Sequence, residues 1–157
     1  MGTDIHGYWE IRDHDNEWVA IKPINDNRNY LWFGIIAGVR NSIYWDNHNE
    51  PWDRGMPKDA SHMCKYLMAG NWHHNATWLT LEEIKIANEV WKKESREYYS
   101  FTRDEPTYEP ILTPESIISN LFISNKITLK WAGPIGDIIS RDHPFEECIR
   151  MVCTFDS

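Results

Sequence analysis

The sequence predicts one α+β domain over residues 1–157, in which a small, mainly antiparallel sheet packs with three to four helices and long loops. Apolar residues alternate with a period of two near the N-terminus and again in the closing stretch, which is typical of strands with one buried face. Between these stretches, apolar residues recur every three or four positions behind capping residues, which indicates amphipathic helices. No internal repeat or linker divides the chain, and its length suits a single domain.

The sheet is predicted from both ends of the sequence. Residues 3–12 alternate between a core set that includes Ile5 and Ile11 and a polar set. A turn at "DHDN" and a second strand at "EWVAIK" complete an N-terminal hairpin. The closing stretch "CIRMVCTF" alternates in the same way, and we predict that this C-terminal strand lies beside the hairpin. The polar set of the first strand comprises two acids, an imidazole and a phenol: Asp4, His6, Tyr8 and Glu10.

Capping residues followed by helical spacing predict the helices. Asp59 or Ser61 can cap a short helix in the middle of the chain. The longest helix begins with the capping box "TLEE", in which Thr80 and Glu83 can exchange hydrogen bonds. The predicted helices cover residues 30–39, 59–70, 80–98 and 113–122.

Two segments without helical spacing are predicted to be loops. Residues 41–58 are rich in Asn, Asp, Pro and Gly, and a loop of this length in a compact domain is usually functional. The segment "WHHNATW" at 72–78 directly precedes the capped helix, where loop residues can converge on a site.

Charge and composition exclude several classes of function. The chain has 24 acidic and 16 basic residues and a formal charge of −8, which argues against binding to a nucleic-acid polymer. Its longest apolar run is far shorter than the ~20 residues of a membrane span, and no signal peptide is visible. Three scattered cysteines indicate free thiols, so we expect a cytoplasmic protein. Nine tryptophans favour a ligand pocket or an interface, although they also suit an ordinary core.

The pair Asp4-x-His6 is a candidate for chemistry. Both side chains point the same way from one strand, which suits a metal site or an acid–imidazole pair. A metal site needs a further ligand, for which "WHHNATW" offers the best histidines, while surface or capping positions are the ordinary alternative for them. The chain contains no HExxH, GxSxG, P-loop or GxGxxG motif.

Two arginines lie near aromatic residues in the sequence. Arg40 follows the first helix, and Arg54 belongs to the long loop that contains Trp45 and Trp52. A guanidinium beside an indole can hold a phosphate while the ring stacks on a base. Alternatively, both arginines tie loops to backbone carbonyls or to acidic partners.

Five short motifs follow one another along the chain. They are Asp4-Ile5-His6, Val39-Arg40-Asn41, Arg54-Gly55-Met56-Pro57, "HNATWLT" at 74–80 and "RMVCTFD" at 150–156. In this order they resemble a family of small tailed-bacteriophage proteins of unknown role, which begin Met-Gly-Cys-Asp-Ile-His. Thr3 replaces the cysteine of the family, so no thiolate is needed there, and Thr77 replaces a serine while keeping the hydroxyl.

The resemblance implies a phage accessory protein and selects one set of site residues. It favours His74 over His73 as the site histidine. The set comprises residues from a strand, a helix end and loops: Asp4, His6, Arg40, Asn41, Arg54, His74 and Trp78. We predict that this set binds a small nucleotide-like ligand and that the protein sequesters a host defence signal in the host cytoplasm.

Two alternatives stay open. The first is a metal-dependent, phosphoesterase-like hydrolase, in which Asp4, His6 and His74 bind a divalent metal and Glu10 acts as a base. The second is an inhibitor that binds a host protein through an acidic, tryptophan-rich surface. Exposed loop tryptophans would support it, whereas burial of Trp45 and Trp52 would count against it. All three hypotheses are compatible with a homo-oligomer, and only the first alternative implies a cofactor.

Overall fold

The computed structural model describes residues 2–24, 28–40, 52, 54–102, 140 and 142–156. It contains a four-stranded antiparallel sheet and three α-helices, so the predicted α+β fold is confirmed. In chain order the elements are β1 (Asp4–Arg12), β2 (Trp18–Pro23), α1 (Tyr30–Ala37), α2 (His62–Leu67), β3 (His73–Thr80), α3 (Leu81–Thr102), a short 3₁₀ helix (Phe145–Cys148) and β4 (Ile149–Asp156).

The C-terminal strand β4 lies in the middle of the sheet. The strand order is β2-β1-β4-β3, which confirms that this strand pairs with the N-terminal hairpin. The register sets Ile5 opposite Phe155 and Glu10 opposite Arg150. Because directly opposed residues share a face, the sheet has an apolar face, here called the helix face, and a polar face that carries Glu10 and Arg150.

Helices α1 and α3 cover the helix face. The core there includes Leu31, Trp32 and Phe33 from α1, Ile84 from α3 and Phe155 from β4, each at most 1% exposed. The rings of Phe33 and Phe155 lie 5.1 Å apart between centroids and are tilted by 60°. Each fully buried side chain of this size contributes roughly 1.5–3 kcal/mol, so this cluster fixes both helices on the sheet.

Strands β1 and β4 approach each other closely at Gly7. A Cβ atom placed on Gly7 would lie 2.0 Å from the carbonyl oxygen of Val152 and 2.8 Å from the Cα of Cys153. Any side chain would therefore push the two strands apart. The position needs glycine because of this packing, as is common where two backbones meet closely.

The segment at 72–78 was predicted to be a loop, and this prediction is wrong because most of it belongs to β3. Its residues pair with β4 at an edge of the sheet, but the register shifts between His74 and Thr77. Asn75, inside this irregularity, has a positive φ of 49°, a conformation that asparagine tolerates. The shift interrupts the two-residue period by which a strand is recognised in a sequence.

The three helix predictions that fall on described residues are confirmed in position. Ser61 caps α2, which is shorter than predicted. The capping box of α3 is present: the Thr80 N–H donates to the Glu83 carboxylate at 2.9 Å, and the Glu83 N–H donates to the Thr80 hydroxyl at 3.2 Å. The predicted helix at 113–122 and most of the predicted loop at 41–58 lie outside the described residues.

Helix α2 and the turn before it cover the middle of the polar face. Ala60, Cys64 and Val152 form a small buried cluster there, and Tyr8 and Trp78 pack against it. The polar face is thereby divided into two ends. One end contains a cleft, and the other contains a group of acidic and imidazole side chains.

Candidate functional site

Arginine and tryptophan side chains alternate across one end of the polar face, in an arrangement that we call the Arg–Trp row. The guanidinium carbon of Arg54 lies 4.6 Å from the ring centroid of Trp78, and that of Arg150 lies 5.8 Å from the same ring. Arg150 also lies 3.9 Å from the ring of Trp18, and Arg12 lies 4.8 Å from that ring. The four strands supply Arg12, Trp18, Arg150 and Trp78 to the same face of the sheet, and Arg54 comes from the loop before α2.

The central arginine of the row is neutralised by two carboxylates. Arg150 Nε donates to Glu10 at 2.6 Å, and its Nη1 donates to Asp59 at 2.9 Å. Burial alone would raise the pKa of Asp59, but the hydrogen bond and the charge of Arg150 outweigh it and hold that pKa below its ordinary value. Glu10 is fully buried and also accepts the Ser61 N–H at 2.7 Å, so it anchors the start of α2.

Arg54 is likewise paired with an acid. Its guanidinium forms a bidentate ion pair with Glu83, with one contact at 2.9 Å from Nη1 to Oε2. Burial raises the pKa of Glu83, whereas the hydrogen bonds from Arg54 and Thr80 lower it, and the net shift is downward. Arg54 therefore ties its loop to the first turn of α3, as the alternative reading of this arginine anticipated.

Arg12 differs from the other two arginines of the row. Its one side-chain hydrogen bond is to His143 Nε2, at 3.0 Å, and no carboxylate among the described residues pairs with it. Since a guanidinium can only donate, the His143 Nε2 accepts and the imidazole carries its proton on Nδ1 in this arrangement. The Arg12 Nε–H is buried and has no hydrogen-bond partner in the described part of the chain.

A cleft of about 370 Å³ opens beside Arg12. Trp18 and Trp78, both partly exposed, contribute ring surface to it. The Trp18 indole N–H lies near enough to Asp59 to help lower the pKa of that carboxyl, but it makes no hydrogen bond of ordinary geometry. The cleft is lined by Arg12, Trp18, Asp59, Trp78, Thr80, His143, Glu147, Ile149 and Arg150. It thus combines indole surface with an arginine that has no carboxylate partner among the described residues, which suits a polar, ring-containing ligand.

The predicted residues Asp4 and His6 lie at the other end of the polar face. His6 Nε2 contacts Asp156 Oδ2 at 2.9 Å, and Asp4 pairs with Arg28, whose Nη2 donates at 2.9 Å. The ring of His73 meets that of His6 edge-on, with centroids 5.0 Å apart. Burial, together with the neighbouring His6, lowers the pKa of His73. This group is about 20 Å from the cleft, because Arg150 and Asp156 are six positions apart in β4.

The structure does not bring the predicted site residues together in one pocket. Arg54 and Trp78 are in contact beside the cleft, and Asp4 and His6 are near each other at the far end. Arg40 donates to the Thr3 hydroxyl at 2.6 Å and lies over Tyr30.

The remaining two predicted residues lie elsewhere. His74 is opposite Phe155 in the register, which assigns it to the helix face, and its Nδ1 contacts Asn75 at 2.7 Å. Asn41 lies outside the described residues. Among those that are described, no group of three or more His, Cys, Asp and Glu side chains can hold a metal ion. Asp4, His6 and His74 therefore do not form the predicted metal site.

The predicted set of site residues did not include Arg12, Trp18, His143 or Arg150. A signal for Arg150 was present, since it alternates out of phase with the core residues of its strand. Glu10 has the same relation to the core of β1, so opposite charges on two strands predicted to be neighbours indicate a cross-strand ion pair. No comparable signal exists for His143, which lies in an irregular segment.

Comparisons with known proteins add no assignment. No protein-family model matches the chain, and no curated protein or solved structure does so either. The resemblance to the phage family consequently stays a prediction. Within the part of the chain that the structure describes, no helix has both the length and the apolar character that crossing a membrane requires.

Proposed function

We propose that this chain binds a small nucleotide-like ligand in the cleft beside the Arg–Trp row. The observation that carries the proposal is Arg12, which borders a cleft with two indole rings and which, among the described residues, has neither a carboxylate partner nor an acceptor for its Nε–H. A phosphate in the cleft would give the Arg12 guanidinium an anionic partner. Planar ring surface on Trp18 and Trp78 would contact a base.

The rest of the row serves this function by keeping the two rings in place. Arg150 lies between Trp18 and Trp78 and is itself fixed by Glu10 and Asp59. Rings held in this way lose little conformational entropy when a ligand arrives, which favours affinity. We assign the row the role of a rigid support and Arg12 the role of the anion-binding group.

The described lining of the cleft suits binding of a ligand without catalysis. Its described part contains no thiol, and the Thr80 hydroxyl already accepts a hydrogen bond in the capping box. We therefore retain the hypothesis of a phage accessory protein that acts in the host cytoplasm and removes a nucleotide-like defence signal by sequestering it. The alternative of a metal-dependent hydrolase finds no converging ligand set at Asp4, His6 and His74.

Calorimetric titration with nucleotides, together with native mass spectrometry of untagged protein, tests the proposal. The Arg12→Gln variant is expected to lose binding by at least tenfold, because one charge-assisted hydrogen bond contributes about 1.5–3 kcal/mol. Arg28→Gln is the matched control, since Arg28 is an exposed arginine at the far end of the same face. Absence of binding to any nucleotide, with no co-purifying ligand, would refute the proposal. Equal losses in both variants would place the ligand elsewhere.

A specific observation also favours the third hypothesis, inhibition of a host protein, although Trp52 packs partly buried against the core and counts against it. Several apolar side chains on α2 and on the turn that follows are exposed, with Tyr66 at 79% and Trp72 at 82%. Met63 and Met68 extend this surface, and aromatic residues with methionine are typical of protein interfaces. In a host lysate, a partner cross-linked by the parent chain and lost with Trp72→Ser, while nucleotide binding is unchanged, would support this function. A partner retained by Trp72→Ser would contradict it.

A further inference from the structure

We infer that the ligand of the cleft carries a single negative charge next to its ring, as a phosphodiester does, and that polyphosphates are excluded. This inference rests on the proposed function, and it concerns the class of nucleotide. It follows from the charges that the described residues place around Arg12 and the cleft.

Among its described lining residues, the cleft offers one unpaired cation to a ligand. Arg150 is already held by Glu10 at 2.6 Å and by Asp59 at 2.9 Å, so its charge is more than balanced. Arg12 has no such partner among the described residues and contacts the neutral Nε2 of His143. One anionic group can therefore be neutralised at Arg12, and a second anionic group would find no unpaired cation in the described lining.

Carboxylates at the cleft oppose any additional negative charge. Glu147 lines the cleft from the short 3₁₀ helix, is exposed and forms no ion pair with another described residue. Asp59 lines it as well, and its pKa is lowered, so it stays ionised at neutral pH. A unit charge about 6 Å from another, at an effective dielectric constant of about 40, changes a binding constant roughly tenfold. Each further phosphate charge should weaken binding by about that factor.

A charge series with a constant base and ribose provides the test. Affinities for a 3′,5′-cyclic monophosphate, a 5′-monophosphate and a 5′-triphosphate are measured by calorimetry at pH 8, for each of the four common bases. The cyclic compound carries one charge, and the monophosphate carries nearly two because its second pKa is about 6. We expect affinity to decrease from the cyclic compound to the monophosphate and then to the triphosphate, with a roughly tenfold difference in affinity between the first two.

Variants of two adjacent glutamates test whether this order of affinities arises at the cleft. Glu147→Gln should raise the affinity for the triphosphate several-fold more than that for the cyclic compound. Glu146→Gln is the matched control, because Glu146 is the exposed neighbour and does not line the cleft. Equal effects of the two variants would overturn the role given to Glu147.

The outcomes separate this inference from the proposed function. Affinity that rises from the cyclic compound to the triphosphate would overturn the single-charge inference and leave nucleotide binding at the cleft intact. Failure of every compound to bind would overturn both. The inference is supported if affinity decreases from the cyclic compound to the triphosphate, if this decrease is smaller in Glu147→Gln, and if it is unchanged in Glu146→Gln.

Discussion

Replacing Arg150 by methionine tests whether the centre of the Arg–Trp row is a buried ion pair that the fold depends on. Methionine keeps an unbranched, flexible side chain of similar reach but removes the charge. Glu10, which is 0% exposed, would then be left as a buried carboxylate without its 2.6 Å partner. Removing one member of a buried pair costs about 3–5 kcal/mol. For a chain of this size, each kcal/mol corresponds to roughly 2–4 °C in Tm, so we expect a decrease of about 6–20 °C.

Urea denaturation, monitored by circular dichroism, measures the loss of unfolding free energy. A double-mutant cycle then shows how much of this loss comes from the interaction between Glu10 and Arg150. In Glu10→Gln/Arg150→Met, the amide oxygen still accepts from the Ser61 N–H, but no buried charge remains. We expect the double variant to recover about 2 kcal/mol relative to the sum of the single losses. Arg54→Met is the control, because its ion pair is more exposed and should be worth about 1 kcal/mol or less.

Two results would refute this reasoning. One is a loss of less than about 1 kcal/mol of unfolding free energy in Arg150→Met, which would show that Glu10 can stay buried without a paired cation at little cost. The other is additivity of the two single changes within about 0.5 kcal/mol, which would show that the groups do not interact.

Three further outcomes are expected. Gly7→Ala should destabilise the fold by about 1–3 kcal/mol in urea, because the new methyl group meets the backbone of β4, whereas Gly70→Ala meets only a side chain at 3.4 Å and should be nearly neutral. Burial raises the pKa of Cys64 to about 12, so this thiol should react with a disulfide reagent at pH 8 only after unfolding. The pKa of Glu83 is lowered in the fold, so its stabilising effect is present above its ordinary pKa of about 4.5 and is lost as the pH falls through the lowered value. The difference in Tm between the parent chain and Glu83→Gln should therefore shrink from pH 7 toward pH 3, and a constant difference would contradict the ion pair with Arg54.

The fold was predictable where each residue's local pattern agreed with its tertiary role. The alternation in β1 and β4 and the capping box at Thr80 and Glu83 depend on neighbours a few positions away, so the sequence alone shows them. The edge strand β3 was not predictable in this way. Its register shift and the left-handed Asn75 are stabilised by pairing with a strand more than 70 positions later in the chain, and no local pattern reports that pairing.

The residue types of the candidate site could be predicted from the sequence, but most of its positions could not. Arginine beside tryptophan was the expected combination, and Arg54 and Trp78 do meet. Arg12 and Trp18, which border the cleft, come from the two strands of the hairpin and are opposite each other in the register. Their importance depends on which arginines already have acidic partners. Which arginines have such partners depends on tertiary contacts, such as that between Arg150 and Glu10, and cannot be predicted from composition.

The position of β4 also has a consequence for synthesis of the protein. Strands β1, β2 and β3 leave the ribosome first, yet in the order β2-β1-β4-β3 the first and third strands can join only through β4. Until residues 149–156 emerge, β1 and β3 each lack β4, with which they pair in the fold. Unpaired strand edges are aggregation-prone, and they are slow to pair when the contacts are distant in sequence. Strand β1 can therefore be paired on both sides only after β4 has been synthesised.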